Sequence, residues 1–134
     1  MGMLEGKVAL ITGGSRGQGR AHAITCAREG ADVIIIDTLD QIASVAYPMA
    51  QQADIDETVR QVEALDRRIV AVTGDVRKQA DLDRAVSDGI AALGKIDILI
   101  ANAGIFSLAP AHELTDEAWD DMIAVNLTGV WKSA

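Results

Sequence analysis

Short apolar runs alternate with longer stretches in which apolar positions recur at helical spacing, the pattern of strands and helices taken in turn. Lys7 to Thr12 reads as a first strand, Gly17 to Glu29 as a helix punctuated by Gly30, and Ala31 to Asp37 as a second strand. Asp54-Ile55-Asp56-Glu57 resembles a capping box and opens a helix whose Val59, Val62 and Leu65 share one stripe. Arg68 to Thr73 reads as a third strand. Leu82, Val86, Ile90 and Leu93 mark the next helix, closed by Gly94. Ile96 to Ala101 reads as a fourth strand whose near-continuous apolarity suits burial on both faces. Thr115 caps a last helix in which Trp119, Met122, Ile123, Asn126, Leu127, Val130 and Trp131 recur. Thr38 to Ala53, which contains Tyr47-Pro48, carries neither period and reads as an inserted loop.

This order predicts an α/β fold, a parallel sheet of about four strands with helices on both faces. The 134 residues form a single unit without internal repeats. The last helix runs to Ala134 with no glycine or proline stop signal, so residues 1–134 are expected to form one domain, incomplete at its C-terminus. The fourth strand would leave an open edge that invites association with another chain.

Composition narrows the function classes. With 49% apolar and 24% charged residues, and no apolar run near the roughly 18 residues of a membrane span, a soluble chain is expected. The N-terminus has no leader pattern, and Gly6 stands where a myristoylation signal needs Ser or Thr, so we expect a cytoplasmic protein without a lipid anchor. A net charge of −8 gives nucleic acid no cationic surface. Cys26 is the only cysteine and reads as a small core residue. His22 and His112, far apart and without a carboxylate cluster, make a poor metal site, so no metal is expected. His22 reads as solvated or packed, whereas His112 follows Pro110 in the loop after the fourth strand.

The first strand runs directly into Thr12-Gly13-Gly14-Ser15-Arg16-Gly17-Gln18-Gly19, and a helix begins at once. Amides at a helix N-terminus lack intrahelical partners and carry partial positive charge, so a pyrophosphate binds there. Gly13 would make the tight turn, Gly17 would bare the backbone to a ligand, and Gly19 would let the helix pack closely on the sheet. Ser15, Arg16 and Gln18 complete this candidate cradle. Asp37 ends the second strand, where a carboxylate can accept hydrogen bonds from a ribose. Such a charged bond contributes about 1.5–3 kcal/mol, and a 2′-phosphate there would meet like-charge repulsion, which favours NAD. Arg16, just before the second glycine, argues for NADP and is outweighed.

TGGSRGQG resembles the TGxxxGxG pattern of the short-chain dehydrogenase/reductase family, with all four fixed positions matched. The resemblance implies a Rossmann-type doubly wound sheet and an NAD-dependent oxidoreductase moving hydride between an alcohol and a ketone. It continues at Asp75-Val76, where family members hold the adenine ring, and at Asn102-Ala103-Gly104, close to the family's NNAG, with Ala101 in place of the first Asn. Asn126-Leu127-Thr128-Gly129 resembles the family's NxxG segment, whose Asn belongs to a catalytic Asn-Ser-Tyr-Lys set and helps hold a water in a proton relay. In the family the loop carrying His112 borders the substrate, and the helix carrying Trp119 and Trp131, read first as a core or oligomer-interface face, commonly pairs subunits. A homo-oligomer acting on a small-molecule alcohol or ketone is therefore implied.

The family's Tyr-x-x-x-Lys does not occur in the chain: Tyr47 is the only tyrosine, and Pro48-Met49-Ala50-Gln51 follows it. Ser133 reads as a helix residue rather than the family serine. The residues present match the cofactor half of the pattern, so negligible alcohol oxidation is expected from this chain alone. A non-catalytic module that binds NAD or an adenine nucleotide is the alternative. The long segment after Asp37 resembles a carveol-dehydrogenase-like subgroup, some of it linked to the mycofactocin redox system. Such an insertion would shield the adenosine end and slow cofactor exchange.

Overall fold

The computed structural model describes residues 2–134. Four strands, β1 (Val8–Thr12), β2 (Asp32–Asp37), β3 (Ile69–Thr73) and β4 (Ile98–Ile100), form one parallel sheet in the order β3-β2-β1-β4. Helices α1 (Gly17–Arg28), α2 (Gln52–Glu63) and α3 (Gln79–Leu93) make the crossovers. Strand β1 lies at the centre, its Val8–Thr12 matched to Asp32–Ile36 on one side and its Ala9–Ile11 to Ile98–Ile100 on the other. This is the Rossmann-type, doubly wound arrangement, with a switch point between β1 and β4.

Alternation along the strands divides the core between two layers. Ala9, Ile11, Val33 and Ile35 pack against Ala23, Cys26 and Ala27 of α1 and against Ile55 and Val62 of α2. On the other face Leu10 and Ile34 meet Leu93 of α3, while Ile36 and Val72 meet Leu82 and Ala85. Burying each such aliphatic side chain contributes about 1.5–3 kcal/mol, and β1 and β2 supply most of the fully buried ones. Helix α3 ends at Gly94, which adopts φ 89°, as its placement after Leu93 predicts. No helix among the described residues is long and apolar enough to cross a membrane.

Four expectations need correction. Asp54 is not the cap of α2: its carboxylate accepts the Gln51 amide at 2.9 Å from the third helical position, so the helix begins at Gln52. Leu65 lies past the other end of the helix, after the cap residue Ala64, and is 37% exposed. Strand β4 is shorter than its apolar run, pairs only with β1 and is covered on one face rather than both: Ile98 and Ile100 pack on the core, whereas Leu99 is 38% exposed. The last helix is interrupted. Thr115 caps α4 (Asp116–Ile123) through its hydroxyl, which accepts the Ala118 amide at 3.1 Å, but a π-helical turn follows (Ala124–Thr128), and then α5 (Gly129–Ser133). Its apolar stripe is divided: Met122 packs against the core, whereas Trp119, Leu127 and Trp131 are 57%, 64% and 73% exposed.

The segment after β2 contains no helix or strand until Gln52, yet it is packed. Ile42 and Val45 join Ile36, Val72 and Val76 in the core beneath the strand ends. The Gln41 side chain organises the loop, donating to the Val45 and Tyr47 carbonyls at 3.1 and 3.0 Å and accepting the Met49 amide at 2.9 Å.

Candidate functional site, a dinucleotide groove at the switch point

The C-terminal ends of β1, β2, β3 and β4 open on a groove with a cavity of about 320 Å³, within the range of small-molecule sites. The first glycine turn forms one lip. Gly13 and Gly17 have φ of 68° and 56°, where any other residue would be strained. A side chain at Gly19 would begin 1.8 Å from the Gly13 carbonyl oxygen. Gly19 therefore permits the loop to close on itself, a more local task than the helix-on-sheet packing expected of it. The turn itself packs on the sheet at Gly14, where a Cβ would lie 2.4 Å from Ile35 Cγ2. Gly14 was missed because the family pattern leaves it variable.

Asp37 and Ser15 define the next part of the site. The Ser15 amide donates to Asp37 Oδ2 at 3.1 Å, the Ser15 hydroxyl donates to the same oxygen, and the Thr38 amide donates to Oδ1 at 2.9 Å. Ser15 is fully buried and does not line the groove; it aims the carboxylate that does. Its carbonyl is held from behind by Thr58 Oγ1 at 2.9 Å and Arg20 Nη2 at 2.8 Å. These two supports come from α2 and α1, and nothing in their local sequence signals them.

Arg16 reaches across the groove mouth, where Nη2 donates to the Pro48 carbonyl at 2.7 Å. Gly17 and Gln18 line the groove beside it, and Ile42, Tyr47, Met49 and Ala50 of the inserted segment form the opposite wall. That apolar wall was legible only as a loop, because its packing partners lie far away in sequence.

Asp75 and Val76 line the groove beyond β3. Burial alone would raise the Asp75 carboxyl, but hydrogen bonds from the Arg77 side chain and backbone outweigh it and hold the group below the usual carboxylate range. Arg77 Nη2 donates to Oδ2 at 2.7 Å, and the Arg77 amide donates to Oδ1 at 2.9 Å. On the β4 side, Asn102 Nδ2 donates to the Thr12 and Gly13 carbonyls at 3.1 and 3.2 Å, and the Ala103 amide donates to Thr12 Oγ1 at 3.0 Å. Asn102, Ala103 and Gly104 all line the groove.

Asn126 lies within the π-helical turn and does not line the groove, although its neighbour Val125 does. Its side chain is committed to Ile105, accepting the amide at 2.8 Å and donating to the carbonyl at 2.7 Å. His112 stands apart, its side chain 81% exposed beside Glu113. Among the described residues there is no group of three or more His, Cys, Asp or Glu able to hold a metal ion.

A groove at the switch point of a parallel sheet, with free amides on one lip and a carboxylate at the end of β2, is an arrangement that binds a dinucleotide. Comparison with known proteins agrees with this geometry. The family model for short chain dehydrogenases matches residues 7–134. A (−)-trans-carveol dehydrogenase of Rhodococcus erythropolis is 44% identical, matching 100% of this chain and 49% of that protein. An uncharacterized NAD-dependent oxidoreductase of Mycobacterium tuberculosis is 47% identical over 98% of this chain and 48% of its own length. The crystal structure of carveol dehydrogenase from Mycobacterium avium in complex with NAD superimposes with a TM-score of 0.96 at 47% identity, covering 99% of this chain and 48% of that one. The chain thus spans about half the length of the relatives it matches. Every residue that lines the groove lies inside the matched stretch, and the chain belongs to the short-chain dehydrogenase family.

Proposed function

We propose that residues 1–134 form the NAD-binding part of an oxidoreductase that transfers hydride between a small-molecule alcohol and its ketone. The observation that carries the reading is the pairing of Asp37 with the glycine turn. Ser15 aims a carboxylate into the same groove that the free amides of α1 face, so one lip offers partial positive charge and the other a ribose acceptor. Gly13, Gly17 and Gln18 would hold the pyrophosphate, Asp37 the adenosine ribose, and Asp75 with Val76 the adenine. Asn102, Ala103 and Gly104 would border the nicotinamide half, and that ring supplies or accepts the hydride when bound.

Asp37 supports NAD over NADP, and so does the engagement of Arg16 with Pro48, which draws its guanidinium toward the inserted segment. Carveol dehydrogenases among the relatives support a compact cyclic alcohol as substrate. The exposed Trp119, Leu127 and Trp131 support a homo-oligomer joined along α4 and α5. The acidic balance and single cysteine support a cytoplasmic location. Asn126 acts on the reaction through the loop that it pins at Ile105, at the border of the groove.

Calorimetric titration of the folded protein with NAD and NADP tests this reading. Micromolar or tighter NAD binding with NADP clearly weaker is expected, and no heat with either, or preference for NADP, would overturn it. The same groove would also suit a module that binds NAD without turnover, for which the family's Tyr-x-x-x-Lys is dispensable. NADH formation from NAD and an alcohol separates the two, being negligible for the 134-residue chain and appreciable for a protein that adds that motif.

A further inference from the structure

We infer that Arg77 is a positioning residue that couples the inserted segment to the adenine end of the groove. The inference rests on the NAD reading above and concerns a set of contacts that reading does not use. Arg77 sits between two carboxylates on different elements. Toward the groove, its Nε lies 3.0 and 3.1 Å from the two Asp75 oxygens and its Nη2 2.7 Å from Oδ2. Away from the groove, Nη1 meets Asp121 Oδ1 of α4 at 3.3 Å. The other oxygen of Asp121 accepts the Ser44 hydroxyl of the inserted segment at 2.6 Å. The Ser44 carbonyl in turn accepts the Ser107 hydroxyl at 2.9 Å, and Lys132 Nζ of α5 donates to the Arg77 carbonyl at 2.6 Å.

A continuous polar path thus runs Asp75, Arg77, Asp121, Ser44. Both carboxylates are largely withdrawn from water, with side-chain exposures of 9% and 20%, and a shared guanidinium neutralises them. A rigid fork is needed, since a point charge on a flexible stem cannot serve both partners at once. Donors from Arg77 occupy most of the roughly four acceptor positions of Asp75, so the direction left for an amino group in the groove is set by Arg77. Ser44 lies between Ile42 and Tyr47, which wall the same groove. Whatever orients Arg77 therefore acts on the adenine contact and on the wall together.

The test is a double-mutant cycle on the full-length protein carrying this chain, with Arg77→Gln, Arg77→Lys, Asp121→Asn and Ser44→Ala. NADH release is followed by stopped flow and cofactor affinity by calorimetry, with nicotinamide hypoxanthine dinucleotide, which lacks the adenine amino group, as the comparison ligand. Ser44→Ala is expected to speed NADH release about five-fold when Arg77 is present and less than about two-fold when it is replaced. Arg77→Gln is expected to erase most of the preference for NAD over the hypoxanthine analogue, and Arg77→Lys to restore little of it. Should Arg77→Gln fail to fold, Asp121→Asn decides: it is expected to lower the preference for NAD over the hypoxanthine analogue by loosening Arg77, and an unchanged preference would overturn the coupling. Multiplicative effects, or an unchanged NAD preference in a variant that still binds NAD, would overturn the coupling alone. A parent protein that binds no NAD would overturn the functional reading and the coupling together.

Discussion

Asn126 and Ile105 exchange two hydrogen bonds, amide to Oδ1 at 2.8 Å and Nδ2 to carbonyl at 2.7 Å. One side chain thereby satisfies both main-chain groups of a residue in the aperiodic stretch after β4, and the helix holding it takes up a π-helical turn at the same place. Asn126→Ala leaves Ile105 without either partner and should destabilise the protein by about 1–3 kcal/mol in urea denaturation. Asn126→Asp keeps an acceptor for the Ile105 amide but presses a charged oxygen against the Ile105 carbonyl, and that repulsion should make it the costlier variant; equal stability of the two would refute this account.

Three donors hold the Asp37 carboxylate, on which the proposed NAD reading makes cofactor choice depend. Asp37→Asn keeps the shape and removes the charge, so NAD should bind about ten-fold more weakly or worse, while the penalty against NADP shrinks. Titration of both cofactors checks the pair of effects. Ser15→Ala should move both in the same direction by a smaller factor, since its hydroxyl and amide aim the same oxygen.

Loop closure is as sharply constrained. Gly19→Ala places a methyl 1.8 Å from the Gly13 oxygen, a clash only backbone movement relieves. We expect a loss of about 1–3 kcal/mol of stability and NAD affinity lowered together. A variant with unaltered melting temperature and unaltered affinity would show that the turn is looser than described.

The Asp75 carboxyl, held low by Arg77, sets a pH dependence. Its folded pKa lies below its unfolded value, so the stabilisation is complete above about pH 5 and is lost as pH falls through the ordinary carboxylate value toward the folded one. Asp75→Asn should therefore be less stable than the parent near neutrality and should show a flatter stability profile between about pH 5 and pH 2. Denaturant midpoints across that range provide the check, and parallel profiles would count against the assignment.

The strand and helix order was legible because burial imposes a period, and β1, β2 and α1 obey it nearly to the residue. The glycine turn was legible for a related reason, in that main-chain geometry leaves few residue types possible at Gly13 and Gly17. Asp37 could be located by its place at a strand end, yet its partner Ser15 could be named only as part of the cradle. The wall made by Ile42, Tyr47 and Met49, the supports Thr58 and Arg20, and the bridge at Arg77 were hidden. Each depends on contacts between segments far apart in sequence, which no local period encodes. The π-helical turn escaped for the same reason, since the residue it serves, Ile105, belongs to another element.

Between β1 and β4 the ladder hydrogen bonds end at the switch point, and side chains take over where the main chains diverge. Thr12 and Asn102 stitch the two loops together beneath the groove. The floor is consequently preorganised: an incoming ligand meets lips already fixed in their separation and spends little of its binding free energy on ordering them. Loosening either stitch should make affinity depend more steeply on temperature, since the ordering once done by folding would then fall to the ligand.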